Sequence, residues 1–204
     1  MLLTTYQQKL LKYAGYGVLA SSLIVSGMLA YKYKVQKGKE GANFTVLSQE
    51  CKSALPPEGM VELMSLGCPH CLNMESYLVG FKIHHLQTVF DKNNEEMALF
   101  VYALEHQNKT NALKDAFIKV QKDKGVYLRG SDNMAEFAKE HEINLPNLIS
   151  DMESKAAYDV VTHTLAIQKA CMVTSVPMLY SNGKATSPTL AGGYKEAAYV
   201  LFGL

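Results

Sequence analysis

The chain has 204 residues, 48% of them hydrophobic, and a formal net charge of +1. That balance offers no basic footprint for nucleic acid. Setting aside an apolar N-terminal segment leaves about 160 residues, enough for one domain around a single hydrophobic core, expected to act as a monomer.

Residues 1–12 form a short tail. From Tyr13 to Tyr31 no charged residue occurs, and a helix of that length spans about 28 Å, close to the hydrocarbon thickness of a bilayer. Tyr13, Tyr16, Tyr31 and Tyr33 sit near its ends like an interfacial aromatic belt. The segment 13–31 therefore reads as a single-pass transmembrane helix in contact with lipid, followed by a linker over 32–42. A cleaved signal peptide is the competing reading, with Lys9 and Lys12 as its basic region and Leu29-Ala30 near the cut. Met28 stands where that reading needs a small residue.

Phe44 to Leu47 reads as a short first strand, and Leu55-Pro56-Pro57-Glu58-Gly59 breaks the chain before the next. Met60 to Met64 reads as a buried strand leading into Ser65-Leu66-Gly67 and the motif Cys68-Pro69-His70-Cys71. Leu72, Met74, Tyr77 and Leu78 then give a helix with one apolar face. Lys82 to Phe90 alternates as a further strand. Three helices follow: one carries Met97 to Leu104 and the next Leu113 to Val120, while the third, with Met134, Phe137 and Ala138, has Ser131 as its N-cap. Leu148 to Ala170 is expected as one long helix. Asn182-Gly183 is a hairpin turn signal between two strands, and Lys195 to Phe202 closes the chain as a helix.

The motif carries the chemistry. Two thiols separated by two residues at a helix start exchange for a disulfide without moving the backbone. Pro69 suits the first helical position, which leaves Cys68 at the helix entrance. The unsatisfied N–H groups there, with His70 on the same turn, favour a Cys68 thiolate. Cys71, one turn inward, is expected to be the buried resolving thiol. Stabilising the thiolate stabilises the reduced form, so the disulfide becomes the stronger oxidant. Zinc is the alternative use of such a pair, but it needs two further ligands, for which Cys51, Cys171 and His84-His85 are the candidates. No second paired motif follows, so redox chemistry is preferred and neither a metal nor a cofactor is expected.

Lys32, Lys34, Lys37 and Lys39 follow the apolar segment, and the positive-inside rule would leave the domain in the cytoplasm. An oxidising dithiol has little use there. The chemistry is given precedence, which places the catalytic domain on the periplasmic side of a bacterial inner membrane, or soluble in the periplasm if the segment is cleaved.

The motif after a strand, a helical insertion over about 94–150, and then Val176-Pro177 and Asn182-Gly183-Lys184 together resemble the DsbA family of thiol:disulfide oxidoreductases. The resemblance spans residues 43–204 and implies an α/β thioredoxin fold with an inserted helical subdomain. It implies a cis Val176–Pro177 bond facing Cys68, with the Val176 backbone pairing with an extended substrate. Glu62 matches a buried acid beneath the family's active site, which would relay a proton to Cys71. The lysine that usually partners this acid has no clear equivalent; His85 falls nearest and reads, like His84, as a peripheral strand residue. Reduced or partly folded proteins are the implied substrates, and a DsbB-like membrane reoxidase the implied partner. A disulfide reductase or isomerase, or a membrane-tethered chaperone or assembly factor on the same fold, are the rival readings. Gly67 and Ser175 depart from the family's usual residues, as does the anchor.

Cys51 and Cys171 stand as either a structural disulfide or two buried free thiols. Met60, Met64, Met74, Met172 and Met178 stand as either an adaptable apolar surface for unfolded clients or ordinary core filling.

Overall fold

The run Met60-Val61-Glu62-Leu63-Met64 forms the central strand β2 (Met60–Met64), and all five residues are buried. A strand covered on both faces needs a near-continuous apolar run, which Glu62 alone interrupts. The computed structural model that shows this describes residues 43–202. The tail, the apolar segment 13–31, the linker and the question of cleavage lie outside the described residues. Among those described, no helix is long and apolar enough to cross a membrane.

β2 pairs in parallel with β3 (Ile83–Gln87) and antiparallel with β4 (Met178–Ser181). β5 (Lys184–Thr186) pairs antiparallel with β4, and β1 (Thr45–Val46) with β5, giving the order β1-β5-β4-β2-β3. Asn182 and Gly183 join β4 to β5 with φ of 52° and 72°, the pair of positive values that a two-residue hairpin turn matching strand twist requires.

Alternation along β2 separates two faces. Val61 and Leu63 pack with Tyr180, Ala185, Cys51 of α1 (Gln49–Ala54) and Ile167 of α7 (Lys155–Ala170). Met60 packs on the other face with Met74 and Leu78 of α2 (Pro69–Leu78) and with Ala197, Ala198 and Leu201 of α9 (Tyr194–Phe202). Glu62 shares that face. Beyond Met64 the helical core begins, built from α3 (Lys92–His106), α4 (Leu113–Gln121), α5 (Asp132–Glu140) and α6 (Leu145–Met152). Phe100 and Phe137 meet edge-on at 5.5 Å within it. A short α8 (Pro188–Ala191) precedes α9.

Several expectations change here. The stretch Leu148 to Ala170 is two helices, α6 and α7, because the Ser154 hydroxyl accepts from the Ala157 N–H and caps a fresh start. α1 and α8 are too short to show an apolar period. Met60, Met64 and Met74 are fully buried core and present no client surface, whereas Met172 is 80% exposed. Tyr77 leaves the apolar face of α2, whose buried residues are Cys71, Met74 and Leu78. It is 44% exposed and stacks on Tyr194 at 5.9 Å.

Candidate active site

Cys68 is the N-cap of α2, with extended backbone angles (φ −96°, ψ 113°) and Pro69 directly behind it in the first turn. Its Sγ accepts a hydrogen bond from the Cys71 N–H at 3.4 Å. The loop before it is pinned from three sides. Cys68 N–H donates to Ser65 O at 2.8 Å, Leu66 N–H donates to Gln87 Oε1 at 2.8 Å, and Thr88 donates to Met64 O from both its N–H and its hydroxyl. The reactive sulfur is therefore held by the end of β2 and the end of β3 together.

Cys68 and Cys71 are free thiols, the first half-buried and the second fully buried. The Cys71 thiol donating to Cys68 is the main cause that lowers Cys68 from an ordinary 9.0 to about 6, against the opposing cost of burial. The N–H groups of Cys71 and His70 and the His70 ring add to it. The same hydrogen bond, with burial and the charges of Cys68 and Glu62, pushes Cys71 upward. Cys68 is thus the thiolate at neutral pH and Cys71 the thiol. Carbamidomethylation of the reduced protein is expected to reach half its maximal rate near pH 6, read by mass spectrometry of the Cys68 peptide; a midpoint near the ordinary 9.0 would contradict this assignment.

His70 Nδ1 lies 2.6 Å from the Tyr194 hydroxyl, and the two rings stack at 6.3 Å. Tyr194 also stacks on Tyr77, so the His70 ring belongs to an aromatic column. Sequence reasoning missed Tyr194, because it enters from the C-terminal helix and no motif marks it. A hydrogen bond contributes about 1 kcal/mol net, and only the part that differs between thiol and thiolate reaches Cys68. Tyr194→Phe is accordingly expected to raise the alkylation midpoint by about half a pH unit or less, and His70→Ala by more.

Val176–Pro177 is a cis peptide, and the Val176 carbonyl oxygen lies 3.7 Å from Cys68 Sγ. His70, Ser175, Val176, Pro177, Leu190 and Tyr194 line an open groove of about 870 Å³ beside the thiolate.

Glu62 is fully buried, and neither carboxylate oxygen has a hydrogen-bond partner. Burial first, and then the Glu75 carboxylate, hold it well above the usual carboxylate range, against the pull of His85. His85 is not peripheral. The parallel register sets it directly beside Glu62, with Nε2 3.9 Å from Glu62 Oε2 and 3.2 Å from Glu75 Oε1, and Nδ1 3.0 Å from Glu105 Oε1. Although burial opposes it, the Glu105 and Glu75 carboxylates raise His85 to about 10. His85 is therefore a cationic imidazole at neutral pH.

Solved structures share this architecture. Pseudomonas aeruginosa DsbA aligns with a TM-score of 0.66 at 24% identity, over 78% of this chain and 88% of that one. Xylella fastidiosa DsbA gives 0.64 at 13% identity, over 81% and 95%. Proteus mirabilis DsbA, solved with a non-covalently bound peptide, gives 0.61 at 15% identity, over 80% and 94%. The chain has the DsbA fold. No protein-family model matches the sequence, and no curated protein does.

On the DsbA fold the cysteines outside the motif are joined to each other. Cys51 in α1 and Cys171 at the end of α7 are bonded, with Cα atoms 4.7 Å apart and a sequence separation of 120. This removes both from the pool of zinc ligands for Cys68 and Cys71, and His85 is engaged with carboxylates instead.

Proposed function

We propose that this protein is a thiol:disulfide oxidoreductase that donates a Cys68–Cys71 disulfide to reduced or partly folded proteins outside the cytoplasm. The observation that carries the reading is the asymmetry of the two sulfurs: a half-buried Cys68 held as thiolate at a helix entrance, and a buried Cys71 held as thiol.

In the forward reaction a substrate thiolate attacks Cys68 of the disulfide. The Cys68–Cys71 bond breaks, Cys71 leaves with the electron pair and takes a proton, and a mixed disulfide joins substrate to Cys68. Glu62, which burial biases toward its protonated form, would supply that proton in this reading. A second substrate thiolate then attacks the substrate sulfur, and Cys68 departs as the stable thiolate. Two substrate thiols have become a disulfide, and two electrons rest on the enzyme. A DsbB-like membrane reoxidase removes them.

The groove beside Cys68 suits an extended peptide, whose backbone would pair with Val176 while Pro177 closes its floor. Peptide binding by the Proteus mirabilis DsbA supports this use of the groove. Residues 13–31 tether the domain to the periplasmic face of the inner membrane, the soluble periplasmic form being the alternative if they are cleaved.

Equilibration with glutathione buffers tests the reading. A Cys68–Cys71 potential above about −200 mV is expected; a potential near that of thioredoxin, about −270 mV, would make the protein a reductase instead. The direction follows from linkage. Because Cys68 is lowered in the folded state, its contribution to the reduced protein is full above pH 9.0, declines toward pH 6, and is lost as pH falls through 6.

A further inference from the structure

We infer that Glu62, Glu75 and His85 form a binding site for a divalent metal ion of the zinc type, behind the thiol pair. One ligand atom from each residue lies within 4.8 Å of the others. Acidic neighbours alone would not make a site. Here, however, both oxygens of the fully buried Glu62, together with Glu75 Oε1 and His85 Nε2, are buried and lack hydrogen-bond partners. These atoms face one another within ion-pair distance, His85 Nε2 being 3.2 Å from Glu75 Oε1 and 3.9 Å from Glu62 Oε2.

The geometry suits a tetrahedral ion. Metal bonds of about 2.0 to 2.1 Å place ligand atoms about 3.3 Å apart. The distances from His85 Nε2, 3.2 Å to Glu75 and 3.9 Å to Glu62, bracket that value. Glu105 holds the other side of the imidazole, 3.0 Å from Nδ1, and accepts the His85 backbone N–H at 2.9 Å. A carboxylate on one ring nitrogen that presents the other to a metal is the usual support for a histidine ligand. A bound ion takes the place of the proton that Nε2 otherwise carries. One imidazole and two carboxylates, with a position open for water, suit zinc better than calcium or magnesium.

Charge points the same way. Among the described residues, the ion pairs of Glu62, Glu75 and Glu105 all run to His85, so three carboxylates share one imidazole. The second cluster of similar spacing, Asp115, Glu140 and His141, differs in this respect, because Lys119 Nζ already sits 3.8 Å from Asp115 and 2.5 Å from Glu140. It holds a lysine in addition to its imidazole.

The site is tested with the Cys68–Cys71 disulfide closed, so that the thiols cannot chelate, and binding is read independently of any oxidase activity. Zinc is titrated by calorimetry and against a chromophoric chelator. One equivalent is expected to bind the wild-type chain and to raise its unfolding temperature. Glu62→Gln should weaken it about tenfold or more. His85→Lys, which keeps a cation among the carboxylates and whose fold is checked by circular dichroism, should abolish both the binding and the thermal shift; His141→Ala should change neither. The inference is overturned if the oxidised wild-type protein takes up no zinc, if His85→Lys binds as the wild type does, or if the binding disappears with His141.

Discussion

Replacing Cys68 with alanine is expected to reduce the oxidation of a reduced protein substrate to the uncatalysed rate, the largest effect any single substitution in this chain should have. Cys68 is the half-buried sulfur beside the groove, whereas Cys71 has no exposed surface from which to meet a protein thiol. No other thiol can substitute, because Cys51 and Cys171 are bonded to each other. Cys71→Ala should behave differently. It leaves Cys68 free to form a mixed disulfide with a substrate disulfide but removes the thiol that resolves it, so the covalent complex accumulates on a non-reducing gel and in intact-mass spectra. Undiminished substrate oxidation by Cys68→Ala would defeat the proposed mechanism outright, whatever the fold.

The second large effect concerns stability. Removing Cys51 and Cys171 together, as alanines, opens a loop spanning 120 residues. On the chain-entropy account this costs on the order of 4 to 5 kcal/mol, which for a domain of this size lowers the unfolding midpoint by roughly 10 to 20 °C. Calorimetry of the double variant, with Cys68 and Cys71 kept reduced in both proteins, measures it. Because the bond ties α1 to α7 behind the sheet, on the face of Val61 and Leu63, it should leave the pH midpoint of Cys68 alkylation unchanged. A shift of that midpoint would mean the two ends of the sheet are coupled.

Much of this was legible in the sequence where a signal is local. The apolar run Met60 to Met64, the thiols with Pro69 between them, the Ser131 cap and the Asn182-Gly183 turn each specify their geometry within a few residues. What escaped was set by pairing between distant segments. Nothing in Ile83-His84-His85-Leu86 says which histidine points inward; that follows from parallel register with β2, where His85 meets Glu62. Tyr194 reaches His70 only because α9 packs against α2. Tyr77 fits an apolar spacing on paper, yet the column it joins lies outside the core. Ser154 splits a continuous apolar pattern because a single hydroxyl serves the backbone better as a cap than as a passenger within a helix.

The disulfide between Cys51 and Cys171 also sets an order of events during synthesis. A chain that emerges from its N-terminus delivers Cys51 first, the motif cysteines soon after, and Cys171 only when α7 is complete. Throughout that interval the thiols nearest to Cys51 in sequence are Cys68 and Cys71. Under the proposed function, a protein that places disulfides in others must first avoid misplacing one in itself.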